Sequence, residues 1–222
     1  MRDSEIRLLD AGQRVREFAI AHSADFPAAS RGAVVIAALQ TAITETEKQA
    51  AAQDAANLDR QEATEEKQAA INTLLTLMRA VNSTARSMDS LFPGMADQFK
   101  MVRSNGDQAT LNRARAYITE ATPIQARFTD RGLPATFLAD LQTAIDAVEE
   151  ADNRQSAALA AQTAATAGVT AALKELRAAM REFGSIARNT YRNDPATLAA
   201  FKSASRVERA PKKATKAAPP SS

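Results

Sequence analysis

The sequence predicts an all-α protein: an elongated antiparallel helical bundle of two tandem repeats, each with one long helix flanked by short helices, followed by a disordered basic C-terminal tail. Three observations predict it. Nearly a quarter of the 222 residues are Ala while Gly (7) and Pro (8) are few, so local propensity favours helix almost everywhere. The segment LQTAI occurs twice, at Leu39–Ile43 and Leu141–Ile145, 102 residues apart. Between Ala33 and Asp89 there is no Gly or Pro, and apolar residues recur at alternating steps of three and four.

The offset of 102 holds without a gap as far as Phe99–Lys100 and Phe201–Lys202. In that register Gln53 meets Gln155, Leu74 meets Leu176, Met78–Arg79 meets Met180–Arg181, Ala85–Arg86 meets Ala187–Arg188, and Pro93 meets Pro195. About a third of the aligned positions are identical, and Ala-rich composition alone does not place Met-Arg, Phe-Lys and Pro in register. Upstream the register slips slightly: Phe26 meets Phe128, Arg31–Gly32 meets Arg131–Gly132, and Arg16 and Phe18 meet Arg115 and Tyr117. The expected organisation is a first repeat at 1–104, a second at 105–205 and a tail at 206–222.

Within the first repeat, helices are expected at about 3–22, 33–89 and 94–103, and within the second at about 107–121, 134–192 and 195–204. Asn105-Gly106 signals a turn, with Asp107 as N-cap, and Asp194-Pro195 supplies a cap and a first-turn Pro. The stripe of the first long helix reads Leu39, Ile43, Ile71, Leu74, Met78, Val81, Ala85 and Met88, with a polar middle through Thr46, Gln53, Arg60 and Lys67. The second reads Leu141, Ile145, Val148, Asp152, Gln155, Leu159, Gln162, Thr166, Val169, Leu173, Leu176, Met180, Phe183 and Ala187. An unbroken heptad phase favours one continuous helix in each repeat, because a turn resets the phase. The alternative is a hairpin folding back near Asn57–Asp59 and Gly168. Two long helices, one per repeat, supply each other's partner by packing antiparallel.

Composition excludes much chemistry. With no Cys there are no disulfides, thiolate zinc sites, iron–sulfur ligands or Cys nucleophiles. The single His22 has Ala19 three residues before it, so the Glu-x-x-His motif of di-iron bundles is not present. His22 follows Phe18 on the apolar side of its helix with no acid three or four residues away on that helix, and reads as a helix-end side chain near free carbonyls. Carboxylates at Glu45, Glu47, Glu62, Glu65, Glu66, Glu149, Glu150 and Asp152 interleave with Lys48, Arg60, Lys67 and Arg154, as on a solvated helix face. The seven glycines are isolated, so no phosphate loop is present, and no Gly-x-Ser-x-Gly elbow occurs. The expectation is a protein with no enzymatic activity, cofactor or metal.

Charge is unevenly distributed. From Arg206 on there are five cations (Arg206, Arg209, Lys212, Lys213, Lys216) against Glu208, a net of +4, which leaves residues 1–205 at −2 within a total of +2. That tail holds three prolines and little apolar surface, too little to offset its ordering entropy. A flexible cationic chain attracts nucleic acid or an anionic surface. In composition Arg206–Ser222 resembles the Lys-Ala-Pro-rich tails of bacterial histone-like proteins and of some phasins, the Ala-rich proteins that coat storage granules. A second candidate is the set Arg79, Arg86, Arg181 and Arg188, which antiparallel helices would bring into one groove fit for a phosphate or carboxylate; the plainer reading has these stems covering the apolar seam.

No run reaches the roughly 20 apolar residues that span a bilayer, and Met1–Asp10 lacks a basic start followed by an apolar stretch, so a cytoplasmic protein is expected. The function expected is that of a structural or protein-interaction repeat protein, self-associating or binding other proteins. The alternative is a nucleic-acid-binding or granule- or membrane-surface-associated protein that uses the tail.

Overall fold

The computed structural model describes residues 1–101 and 106–208. Its helices are α1 (Asp3–Ala21), α2 (Arg31–Met88), α3 (Met95–Gln98), α4 (Asp107–Ala121), α5 (Gln125–Thr129), α6 (Phe137–Thr190) and α7 (Pro195–Ala204), with single 3₁₀ turns at Ser23–Asp25 and Thr122–Ile124. Among the described residues there is no strand. None of these helices is long and apolar enough to cross a membrane.

Helices α2 and α6 run uninterrupted for 58 and 54 residues, so neither folds back as a hairpin. Gly168 sits inside α6 for a packing reason: a Cβ there would lie 2.3 Å from Oε1 of Gln49. Helix α2 begins two residues earlier than expected, at Arg31, because Ser30 Oγ accepts from the Ala33 amide at 3.2 Å and Gly32 packs under Phe26. Helix α6 begins three residues late, at Phe137; Pro134 directs the preceding backbone outward and Thr136 donates to Asp140 at 3.0 Å. Helix α3 is a single turn, much shorter than expected. Asp89 starts it from afar, its Oδ1 accepting from the Gly94 and Ala96 amides at 3.1 and 3.0 Å. Asp107 is not the N-cap of α4; Gly106 is, and the Asp107 carboxylate pairs with Lys67 at 2.9 Å instead. At α7 Asp194 does cap, accepting from the Thr197 amide at 3.1 Å and its hydroxyl at 2.6 Å.

The chain divides into two units, and both long helices contribute to both. Unit 1 comprises Met1–Ala56 together with the chain from Gln162 on, and unit 2 is Asn57–Ala161. In unit 1, α1 and α7 pack with the first part of α2 and the last part of α6 around Leu39, Ile43, Leu173 and Leu176, capped by Phe18, Phe26, Phe183, Tyr191 and Phe201. Those rings meet tilted or edge-to-face, with centroids 5.4–6.2 Å apart, the arrangement the ring quadrupole favours. Unit 2 joins the last part of α2, α3, α4, α5 and the first part of α6 around Leu74, Met78, Val81, Leu141 and Ile145, with Phe99, Tyr117, Phe128 and Phe137 as its rings.

Within each unit the α2 and α6 segments are antiparallel. In unit 1 Arg31 pairs with Glu182 and Gln53 with Thr166; in unit 2 Thr64 pairs with Gln155 and Lys67 with Asp152. The middle of each stripe departs from a strict heptad. Leu159 is 51 % exposed while Ala158 beside it is buried, and Ala63 is buried in place of Thr64. In both helices the buried position is an alanine one residue before the stripe, whose small side chain lets the paired helices approach closely.

The only two tyrosines report on the two cores separately. Tyr117 in unit 2 donates its hydroxyl to the Phe99 carbonyl, and burial, partly opposed by Arg113, pushes it up to about 12. Tyr191 in unit 1 donates to Asp25 Oδ2 at 2.8 Å and is raised as well, by burial first and then by that carboxylate. A raised tyrosine pKa favours the neutral form in the fold, so this stabilisation is complete below the unfolded value near 10 and is lost as pH rises through the folded one. Titration at 295 nm is expected to show little tyrosinate at pH 10.5, with ionisation and loss of helicity rising together above about pH 11. Half-ionisation near pH 10 with helicity intact would show the hydroxyls to be free.

Candidate anion-binding site

On α6 of unit 1, Met180, Arg181, Gly184 and Arg188 lie three, four, seven and eleven residues after Arg177 and share one helix face with it. With Leu8, Phe201, Ser205 and Val207 they line a cavity of about 540 Å³. Its floor is apolar: Leu8 and Phe201 are buried and Met180 half-buried. Its rim is three exposed arginines, and no carboxylate lines it. Among the described residues none of the three arginines forms an ion pair. Gly184 leaves the centre open, since a Cβ there would stand 3.4 Å from Phe201 Cζ and 3.8 Å from Nη1 of Arg188. That guanidinium therefore folds back over Gly184.

Of the residues 102 positions earlier in sequence, Asn82 and Arg86 line a different cavity, in unit 2, of about 390 Å³, together with Ala96, Asp97, Lys100 and Met101. There Asn82 stands at the position matching Gly184 and donates to the Phe99 carbonyl at 2.7 Å. Arg79 is exposed on α2 and does not line that cavity. The four arginines singled out from sequence thus fall as Arg181 and Arg188 in the unit 1 cavity, Arg86 in the unit 2 cavity, and Arg79 outside both.

The chain end is fixed beside the unit 1 cavity by a residue that sequence reasoning passed over. Arg14 donates to the Arg206 carbonyl at 2.8 Å and, more weakly, to that of Ala204 at 3.4 Å. Arg113, at the matching position of unit 2, donates to the carbonyls of Lys100, at 3.0 Å, and Gln98. The shared Arg-x-Arg of Arg14–Arg16 and Arg113–Arg115 was the available signal. Arg206 therefore leaves the fold at the cavity, where Val207 forms part of its wall. Arg209, Lys212, Lys213 and Lys216 lie outside the described residues.

The other candidates are accounted for by packing. His22 caps the end of α1, stacks on Phe18 at 4.4 Å and has an acid that sequence reading missed, Asp25, with Nδ1 to Oδ2 3.6 Å in the 3₁₀ turn that follows. Several of the carboxylates are in ion pairs: in unit 2 Glu149 with Arg115, and Glu66 with Arg154, which also meets Asp59 at 3.6 Å; in unit 1 Glu45 with Lys48 at 4.0 Å. Lys67 bridges Asp107 and Asp152, and its hydrogen bonds, to Asp152 foremost, hold its ammonium above the usual lysine range. Among the described residues no group of three His, Asp or Glu side chains is placed to hold a metal ion.

No family model, curated protein or solved structure matches this chain.

Proposed function

We propose that this is a non-enzymatic protein of two tandem helical repeats, 1–104 and 105–205, whose work is binding, and that the arginine-lined end of unit 1 with the basic segment after it binds a polyanionic surface. One observation carries the reading: Val207 lines the same cavity as Arg177, Arg181 and Arg188. In sequence, five cations from Arg206 to Lys216 follow on from a cavity with three arginines that, among the described residues, no carboxylate lines. Guanidinium groups free of partners are suited to phosphate, which they grip through two parallel hydrogen bonds.

Retention on duplex DNA and on anionic vesicles, measured from 20 to 200 mM salt, tests the reading. Replacing Lys212, Lys213 and Lys216 by Ala, or Arg177, Arg181 and Arg188 by Gln, is expected to weaken retention at low salt. Each also flattens the salt dependence, by about 0.9 in log–log slope for every phosphate that the variant no longer neutralises. No retention of the full-length chain even at low salt sinks the polyanion reading.

A role in protein association is the second reading, favoured by Leu58 and Leu159 of unit 2, which are 63 % and 51 % exposed. If it holds, the chain sediments as an oligomer that Leu58→Asp with Leu159→Asp dissociates; a monomer at all concentrations excludes self-association.

A further inference from the structure

We infer that the unit 1 cavity takes an amphiphilic anion: one phospholipid of an anionic bilayer, its phosphate held by Arg177, Arg181 and Arg188 and its proximal chain lying on Met180 and Val207, above the buried Leu8 and Phe201. The inference rests on the reading of these arginines as an anion site and adds the apolar half of the ligand.

The floor distinguishes this ligand from a nucleic acid. Single-stranded nucleic acid is held by aromatic faces on which bases stack, and duplex by cations alone. Here the only ring in the cavity, Phe201, is 2 % exposed and offers no face for stacking, while Leu8, Met180 and Val207 complete an apolar lining under a cationic rim. A phosphate with nothing attached would use only that rim. The volume, about 540 Å³, lies within the range of sites that enclose a small organic ligand.

A comparison inside the chain points the same way. Of the aligned positions that differ between the two units, four open the unit 1 site, add a cation or remove an acid, while Ser205 in place of Arg103 removes a cation. Arg177 stands where unit 2 has Leu75, and Gly184 where it has Asn82. Ala199 replaces Asp97, and Leu8 replaces Asp107. Unit 2 fills the middle of its counterpart with the Asn82 amide and keeps Asp97 in its wall. Unit 1 has neither that plug nor either acid, and has a cation and an apolar side chain in their stead. A site that served packing alone would have no need to be emptied in this way.

The test uses the full chain and five probes: vesicles of phosphatidylglycerol and phosphatidylcholine in equal parts, vesicles of phosphatidylcholine alone, dodecyl phosphate below its micelle concentration, inorganic phosphate, and duplex DNA. Mixed vesicles are expected to bind at least about tenfold more tightly than neutral ones, and dodecyl phosphate to displace them where inorganic phosphate at the same concentration does not. Gly184→Asn installs the residue that unit 2 carries at the matching position, and Leu8→Asp does the same at the floor. Each is expected to weaken vesicle and dodecyl phosphate binding by about tenfold or more, and Gly184→Asn, which adds no charge, weakens DNA retention by much less than that. Circular dichroism of both variants establishes that they fold, and either one folded suffices.

If inorganic phosphate competes as well as dodecyl phosphate, or if the folded variants bind vesicles like the parent, the cavity does not hold a chain, and the inference fails while the anion reading survives. If Arg177→Gln with Arg181→Gln and Arg188→Gln alters binding to neither vesicles nor DNA, the arginine site itself is wrong and both fall. Retention of DNA but not of mixed vesicles overturns the inference in favour of nucleic acid.

Discussion

Phe183→Ala is expected to destabilise the protein by about 3–5 kcal/mol, the range for truncating a fully buried aromatic ring. Phe183 is completely buried in unit 1, with Phe26 at 5.4 Å and Phe201 at 5.9 Å between centroids. Removing it leaves a cavity lined by two rings that are themselves tied to Tyr191 and Phe18. Against a total stability of about 5–15 kcal/mol this is a large fraction. A chain of this length should lose on the order of 6–20 °C in melting temperature. Hydrogen exchange should quicken most in α1 and α7, which close this core. A melting curve shifted by less than about 2 °C would mean that the ring is not an anchor of unit 1.

Cutting the chain between the proposed repeats should have a larger effect still. A fragment of residues 1–104 carries α1, α2 and α3, but the core of unit 1 also needs Leu176, Phe183 and Phe201, and that of unit 2 also needs Tyr117, Leu141 and Ile145. Fragment 105–222 lacks the other half of each core. Neither fragment alone is expected to melt cooperatively as a monomer, and mixing them in equal amounts should restore both helicity and a sharp transition. A fragment that melts cooperatively as a monomer would show that a single repeat is self-sufficient and that the two-unit division does not describe the energetics.

Much of the fold was legible because its signals are local. The stretch Ala33–Asp89 without Gly or Pro marked α2 as a long helix, the matching stripe 102 residues on did the same for α6, and Asp194-Pro195 marked the start of α7. The ends of the stripes were also readable: Leu39, Ile43, Leu74, Met78, Leu141, Ile145, Leu176 and Phe183 are buried or nearly so, since a large apolar residue at helical spacing has few other places to go. The middle was not, because the small and polar residues of the stripe there gain little from burial, and Ala158 is buried in place of Leu159. Gly32, just outside the expected helix, is inside α2 and is the surface on which Phe26 lies, a contact between residues whose proximity no propensity encodes.

The candidate site was half legible. Arg181 and Arg188 stood out through their repetition at Arg79 and Arg86, whereas Arg177 and Gly184 carry their meaning through what they lack a match to, Leu75 and Asn82. Repetition draws attention to what two copies share, while the unit 1 cavity arises where they differ. The position of Val207 depends on Arg14, some 190 residues earlier in sequence, and on the hydrogen bonds it makes to the carbonyls of Ala204 and Arg206.

The division of the chain also sets an order of events during its synthesis. Unit 2 is one unbroken stretch, Asn57–Ala161, whose first and last turns already lie side by side through the pairs Asp59–Arg154 and Thr64–Gln155. It is complete as soon as Ala161 has cleared the ribosome. Unit 1 is not: Phe18 and Phe26 emerge early and wait for Phe183 and Phe201, which at about 5–20 residues per second arrive some ten to forty seconds later. Closing a free loop as long as the intervening stretch costs about 4 kcal/mol, but once unit 2 has formed most of that loop is already drawn shut. Unit 2 thus serves as a clasp for the stretches on either side of it, and Phe18 and Phe26, translated before any of unit 2, find their place after it.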